Sequence, residues 1–70
     1  MTNSEFNCIK DSILPLAKAE HAKEAPTRTE LRQTAVNWAL WLGMTEKETD
    51  ELIRFLECNI VTVIKAVPVS

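Results

Sequence analysis

A chain of 70 residues, 46% of them apolar, is long enough for one small domain and too apolar to stay disordered. The net charge is −2, and the only basic pair close in sequence is Arg28 and Arg32, so nucleic acid is not the expected partner. No apolar run approaches the roughly 20 residues that span a bilayer, and residues 1–7 lack a signal-peptide pattern, so we expect a cytoplasmic protein.

The first predicted helix covers residues 4–24. Its apolar residues recur at spacings of three and four, which places on one helix face Phe6, Ile9, Ile13 and Leu16. Pro15 interrupts this pattern. Because proline removes a backbone hydrogen bond and crowds the carbonyl four residues earlier, we expect a kink or a break near Pro15.

The second predicted helix covers residues 28–42. Thr27 or Thr29 can accept hydrogen bonds from the free amides of its first turn, and Gly43, the only glycine, ends it. Residues 35–42 are apolar on nearly all sides. We therefore expect this part of the helix to be covered on more than one side.

The third predicted helix covers residues 46–66, and Thr45 with Glu48 matches a capping box at its start. Its apolar residues alternate at spacings of three and four, as in the seam of a short coiled coil, at Ile53, Leu56, Ile60, Val63 and Val67. Residues 59–67 are mostly β-branched, so a terminal strand is the alternative. The helical period and the lack of an obvious partner strand favour the helix.

These elements predict an all-α fold, a single three-helix domain spanning residues 1–70. Helices two and three should form an antiparallel hairpin across Gly43 and Met44. Their apolar faces exceed what one kinked helix can cover, and burial of a large apolar side chain contributes roughly 1.5–3 kcal/mol. We therefore expect a symmetric homodimer, through the row from Ile53 to Val67 or through Trp38 and Trp41. A monomer that packs better is the alternative.

No arrangement of residues predicts catalysis, a cofactor or a metal site. His21 lies among Ala, Lys and Glu, and we expect it on an exposed turn without a nucleophile beside it. Cys8 and Cys58 are interpreted as small buried hydrophobic residues, although a bridge between them stays open. A zinc site would need four ligands, and His21 is the only further customary soft ligand.

The expected function is therefore that of a small non-enzymatic protein-binding regulator: an inhibitor, antiactivator or adaptor that masks a partner surface. This character is typical of short regulators that phages and plasmids encode against a host factor, such as a transcription regulator. Apolar anchors ringed by charge are common in such interfaces. The candidate residues for the partner or dimer interface are Trp38, Trp41, Leu52, Ile53, Phe55, Leu56, Ile60, Val63, Arg28, Arg32, Glu48 and Glu51.

Residues 33–53 resemble a helix-turn-helix, because Ala39 and Gly43 stand where such motifs keep a small residue and a turn glycine. The resemblance implies a DNA-binding transcription regulator, which is the alternative function. However, Thr49 stands where the motif usually has an aliphatic residue. Four carboxylates against one lysine between residues 46 and 51 would also repel phosphates.

Overall fold

The computed structural model describes residues 1–63, which form three helices, α1 Asn3–Glu20, α2 Arg28–Leu42 and α3 Glu46–Asn59. Within this range the only β pairing is an isolated bridge between Thr27 and Val63. The predicted all-α, three-helix fold is confirmed. Val67 and the last residues of the predicted third helix lie outside the described residues.

All three helices begin at a threonine that caps the first turn. The hydroxyl of Thr27 accepts the Glu30 N–H at 3.1 Å, and that of Thr45 accepts the Glu48 N–H at 3.2 Å. In both helices the glutamate carboxylate accepts the threonine N–H in return, which completes a capping box. Thr2 caps α1 in the same way with its hydroxyl. Local hydrogen bonds therefore determine where each helix starts.

The turn between α2 and α3 is a Schellman motif. Gly43 has φ 69°, a left-handed conformation that glycine adopts without steric cost. The Met44 N–H then reaches the Ala39 carbonyl at 2.9 Å, and the Gly43 N–H reaches Leu40 at 3.4 Å. The chain reverses in this turn, and α3 packs closely against α2.

The far ends of α2 and α3 are also joined. Arg28, in the first turn of α2, lies 3.2 Å from the Glu57 carboxylate near the end of α3. Beyond α3, the Val63 N–H donates to the Pro26 carbonyl at 2.9 Å. Because both ends of the pair are in contact, the two helices lie side by side in opposite directions.

Helix α1 runs through Pro15 as one element and ends at Glu20, so the predicted break near Pro15 and the extension to residue 24 are wrong; a kink is not confirmed. The packing explains this continuity. Ile13 and Ala17, on either side of Pro15, are both buried, whereas Pro15 itself is exposed. Core burial fixes both turns and outweighs the local cost of the proline.

Helix α3 ends at Asn59, earlier than the predicted residue 66. Ile60 is already extended, with φ −122° and ψ 124°, and Val63 pairs with Thr27. The β-branched residues here favour extended backbone, and the start of α2 supplies a partner that the sequence pattern did not reveal. For residues 60–63 the alternative of a terminal strand is thus closer to the structure than the helix, although only Val63 forms a bridge.

One core connects the three helices and the residue that follows α3. Its buried members are Ile13, Ala17, Leu31, Ala35, Leu52, Leu56 and Ile60. A second contact joins α1 to α3, since the Lys10 ammonium lies 4.8 Å from the Phe6 ring centre and 5.3 Å from that of Phe55. Both distances are within the range of cation–π attraction.

Two leucines on helices allow the same substitution to be compared in the core and on the surface. Leu56 is fully buried, and Leu40 is 76% exposed. We expect Leu56→Ala to lower the free energy of unfolding by about 2–5 kcal/mol, and Leu40→Ala to change it by less than about 0.5 kcal/mol. Urea unfolding followed by circular dichroism measures both. Equal losses would contradict this placement of the core.

Replacement of Pro15 tests the continuous first helix. Pro15→Ala supplies the missing N–H, which can donate to the Asp11 carbonyl, so the free energy of unfolding should rise by about 1–3 kcal/mol. Lys18→Ala, an exposed substitution in the same helix, is the control and should change it by less than about 0.5 kcal/mol. An unchanged stability in Pro15→Ala would indicate a helix interrupted at this residue.

Candidate functional site

The apolar candidates on α3 lie mostly inside the molecule. Leu52, Leu56 and Ile60 are buried in the core, so they cannot form an exposed interface, contrary to the prediction. Ile53 and Phe55 are half-buried and pack against that core. The row had the spacing of an intermolecular seam, but α1 and α2 of the same chain cover it.

Val63 lies outside any helix. It is 37% exposed and belongs to the extended segment after α3, together with Val61, which is 81% exposed. The helical spacing that included Val63 in the predicted seam therefore does not apply to it.

Two of the four charged candidates have local partners. Arg28 pairs with Glu57. The Glu48 carboxylate accepts the Thr45 backbone N–H, and this hydrogen bond lowers the pKa of Glu48 below its ordinary value of 4.5. Arg32 and Glu51 are exposed. The acidic start of α3 thus serves in part to cap the helix.

Exposed apolar surface is concentrated at the end of α2. Leu40 is 76% exposed and Trp41 is 77% exposed, and half-buried Trp38 stands beside Trp41 with ring centres 5.8 Å apart and planes at 80°. We name Trp38, Leu40 and Trp41 the α2 patch. The expectation that residues 35–42 are covered on more than one side is wrong for Leu40 and Trp41, because the core lies on the Ala35 and Ala39 side of the helix.

A groove of about 340 Å³ adjoins the α2 patch, between the last turn of α1 and the second half of α2. Its walls are formed by Glu20, Thr34, Asn37, Trp38 and Trp41. The Asn37 side-chain oxygen accepts from the Gln33 amide at 2.9 Å, so the polar edge of the groove is held in place. Leu16, one turn before Glu20 on the same side of α1, is also exposed.

His21 holds α1 beside this groove. Its Nε2 lies 2.9 Å from the Thr34 hydroxyl, and that hydroxyl donates to the Glu30 carbonyl at 3.1 Å. A hydroxyl has one proton, so Nε2 carries the proton that His21 donates to Thr34. His21 is half-buried, and this hydrogen bond gives it a structural role, although we predicted it on an exposed turn.

Among the described residues that line the groove, the charged one is Glu20. Residues 33–45 contain no charged side chain at all. On one side lies Glu20, and beyond the turn to α3 follow Glu46, Glu48, Asp50 and Glu51 against the single Lys47. Sequence reasoning identified the tryptophans but missed Leu40 and Glu20. Leu40 could have been found as the direct neighbour of Trp41 in an apolar run, whereas nothing in the sequence links Glu20 to Trp41.

Residues 1–63 contain no group of three or more His, Cys, Asp or Glu side chains that could hold a metal ion. Cys8 and Cys58 are free and exposed, so their predicted burial is wrong. None of the helices in the described part of the chain is long and apolar enough to cross a membrane.

Comparison with protein-family models, with curated proteins and with solved structures finds no match to this chain.

The capping bond of Glu48 predicts a pH dependence of stability. Because the pKa of Glu48 is lower in the folded state than its ordinary value of 4.5, its stabilising effect is present above that pH and is lost as the pH falls through the folded-state pKa. Glu48→Gln removes this ionisation. The stability difference between wild type and Glu48→Gln, from urea unfolding at pH 7 to 3, should therefore shrink in acid. A stability difference that stays constant from pH 7 to 3 would contradict this prediction.

Proposed function

We propose that the protein is a small non-enzymatic protein-binding regulator, an inhibitor, antiactivator or adaptor, that uses the α2 patch to mask a surface of its partner. The observation that carries the proposal is the exposure of Trp41 and Leu40, which are consecutive residues at the end of α2 and are both about three-quarters exposed. Tryptophan is among the residues most enriched at the energetic centres of protein interfaces.

The energy available at the patch favours a contact larger than the patch itself. Burial of two large apolar side chains contributes roughly 3–6 kcal/mol, whereas micromolar affinity requires about 8 kcal/mol. The groove and its polar edge, formed by Asn37 and Glu20, can supply the rest of the contact. We therefore propose a binding surface that includes the groove as well as the patch.

The rigidity of the surface supports the same function. The Schellman turn fixes the end of α2, Trp38 packs on the core, and His21 fixes the last turn of α1 against Thr34. A surface that is already ordered loses less conformational entropy on binding. The exposed side chains can therefore act as anchors without a prior rearrangement of the backbone.

The alternative, a DNA-binding helix-turn-helix, is less well supported. In that motif the two helices cross at about 90–120° and diverge away from the turn. Here Arg28 and Glu57 pair at the ends farthest from the turn. The acidic residues at the start of α3 would also face phosphates unfavourably.

The homodimer stays a prediction, now with one candidate interface instead of two. The α3 row is largely buried within one chain, so the α2 patch is the remaining apolar surface of the two that we considered. A second copy bound there would compete with another partner for Trp41. The oligomeric state must therefore be measured alongside partner binding.

Affinity capture with the full chain tests the proposal. Wild-type protein should recover one dominant foreign protein from an extract of its natural host. Trp41→Ala should weaken binding of that purified protein at least tenfold, since truncation of a central interface tryptophan commonly costs about 2 kcal/mol or more. Titration calorimetry measures the affinity.

Val61→Ala is the matched control, because Val61 is 81% exposed but lies away from the α2 patch, in the segment after α3. It should leave the affinity unchanged, and circular dichroism should show both variants folded. Recovery of the chain alone would identify a self-assembly unit instead. Recovery of nucleic acid, with binding that weakens steeply as salt rises, would favour the DNA-binding alternative.

A further inference from the structure

We infer that the groove between α1 and α2 receives a cationic side chain, Arg or Lys, from a basic segment of the protein partner. The inference rests on the proposed protein-binding function and specifies the chemistry of the partner. The arrangement that carries it is two indole rings and one carboxylate around a groove whose walls, as far as residues 1–63 form them, include no basic side chain.

The aromatic walls are suited to a cation. Trp38 and Trp41 meet edge to face at 80°, so their rings form a corner beside the groove. The face of an aromatic ring attracts ammonium and guanidinium groups, and tryptophan is the strongest of the aromatic residues in this respect. An arginine can also stack its planar guanidinium on an indole face.

The carboxylate of Glu20 adds charge complementarity. Arg28 pairs with Glu57, whereas Glu20 forms no ion pair with a cation among residues 1–63. The remaining wall residues, Thr34 and Asn37, are neutral, and α2 has no charged residue after Arg32. A cation in the groove would meet attraction from Glu20 without repulsion from a neighbouring wall residue.

Elsewhere in the same chain, a cation already lies over a pair of aromatic rings. The four aromatic residues are two phenylalanines and two tryptophans, and each pair lies together or shares a contact. Lys10 lies over both Phe6 and Phe55. In the described part of the chain the tryptophan pair has an acidic neighbour but no such cation. A side chain from another molecule would complete it.

The polar groups of the groove also favour a ligand that donates hydrogen bonds. The Thr34 hydroxyl proton is already used by Glu30, and the Asn37 oxygen accepts only one hydrogen bond, from Gln33. An amide oxygen has two lone pairs, so Asn37 can accept a further bond. Glu20 and Asn37 together thus present acceptors to the several N–H groups of an arginine.

Intrinsic fluorescence tests the inference directly, because the two tryptophans of the chain both line the groove. The probes are acetyl-Leu-Arg-Leu-amide and the same tripeptide with citrulline, which is a neutral isostere of arginine. The arginine probe should give a saturating fluorescence change and bind at least fivefold more tightly than the citrulline probe. Half-saturation is expected on the order of millimolar, corresponding to roughly 4 kcal/mol.

Glu20→Gln removes the charge and should reduce the arginine preference to less than twofold. Asp11→Asn is the matched control, because Asp11 is exposed and lies nine residues before Glu20, half a turn around α1 at about 100° per residue. It should preserve the preference. Equal binding of both probes, or an equal effect of the two substitutions, would overturn the inference.

These outcomes separate the inference from the function on which it rests. If Trp41→Ala abolishes capture of the partner while wild type shows no preference for the arginine probe, the protein-binding function stands and the cationic occupant is excluded. If capture is insensitive to Trp41→Ala, the α2 patch is not the binding surface and the inference fails with it.

Discussion

The shared burial of Leu31, Leu52 and Leu56 is the interaction on which the rest of the structure depends. These leucines come from α2 and α3 and are the largest fully buried side chains. A domain of this size hides only about 60% of the surface that its unfolded chain exposes, so it has little apolar burial to spare. Placement of the apolar face of α3 inward therefore removes most of that face from the exposed surface. The two most exposed large apolar side chains on the helices, Leu40 and Trp41, lie at the end of α2.

The helix starts could be predicted because their causes are local. Thr45 and Glu48 form a capping box within four residues of sequence. The end of α2 could be predicted for the same reason, because Gly43 can adopt a left-handed conformation without steric cost. The end of α3 could not be predicted in this way. It depends on Val63 reaching Pro26, a contact between segments far apart in sequence. The periodicity of the apolar residues continued past Asn59, but tertiary pairing overrode it.

In the candidate site, too, the features that follow from residue type could be predicted, and those that follow from packing could not. Trp41 was identified from its residue type. A tryptophan on a helix with apolar residues on all sides is either buried by a neighbouring element of the fold or left exposed, where it can contact another molecule. Which α3 residues were interior could not be decided, because coiled-coil spacing is the same whether the partner helix belongs to the same chain or to another. Glu20 was missed because its place beside Trp41 depends on how α1 packs, and His21 fixes that packing through Thr34.

The most exposed side chains of the α2 patch lie apart from the core. Leu40 and Trp41 project from α2 opposite to Ala35 and Ala39, which the core encloses. Substitutions of Leu40 or Trp41 therefore change the exposed surface while the core contacts, including those of Trp38, remain. In a domain with little stability to lose, a recognition surface that overlapped the core would make each change of specificity a risk to folding. Leu40 and Trp41, at the end of a helix that the Gly43 turn fixes, avoid that conflict, whereas Trp38 packs against the core.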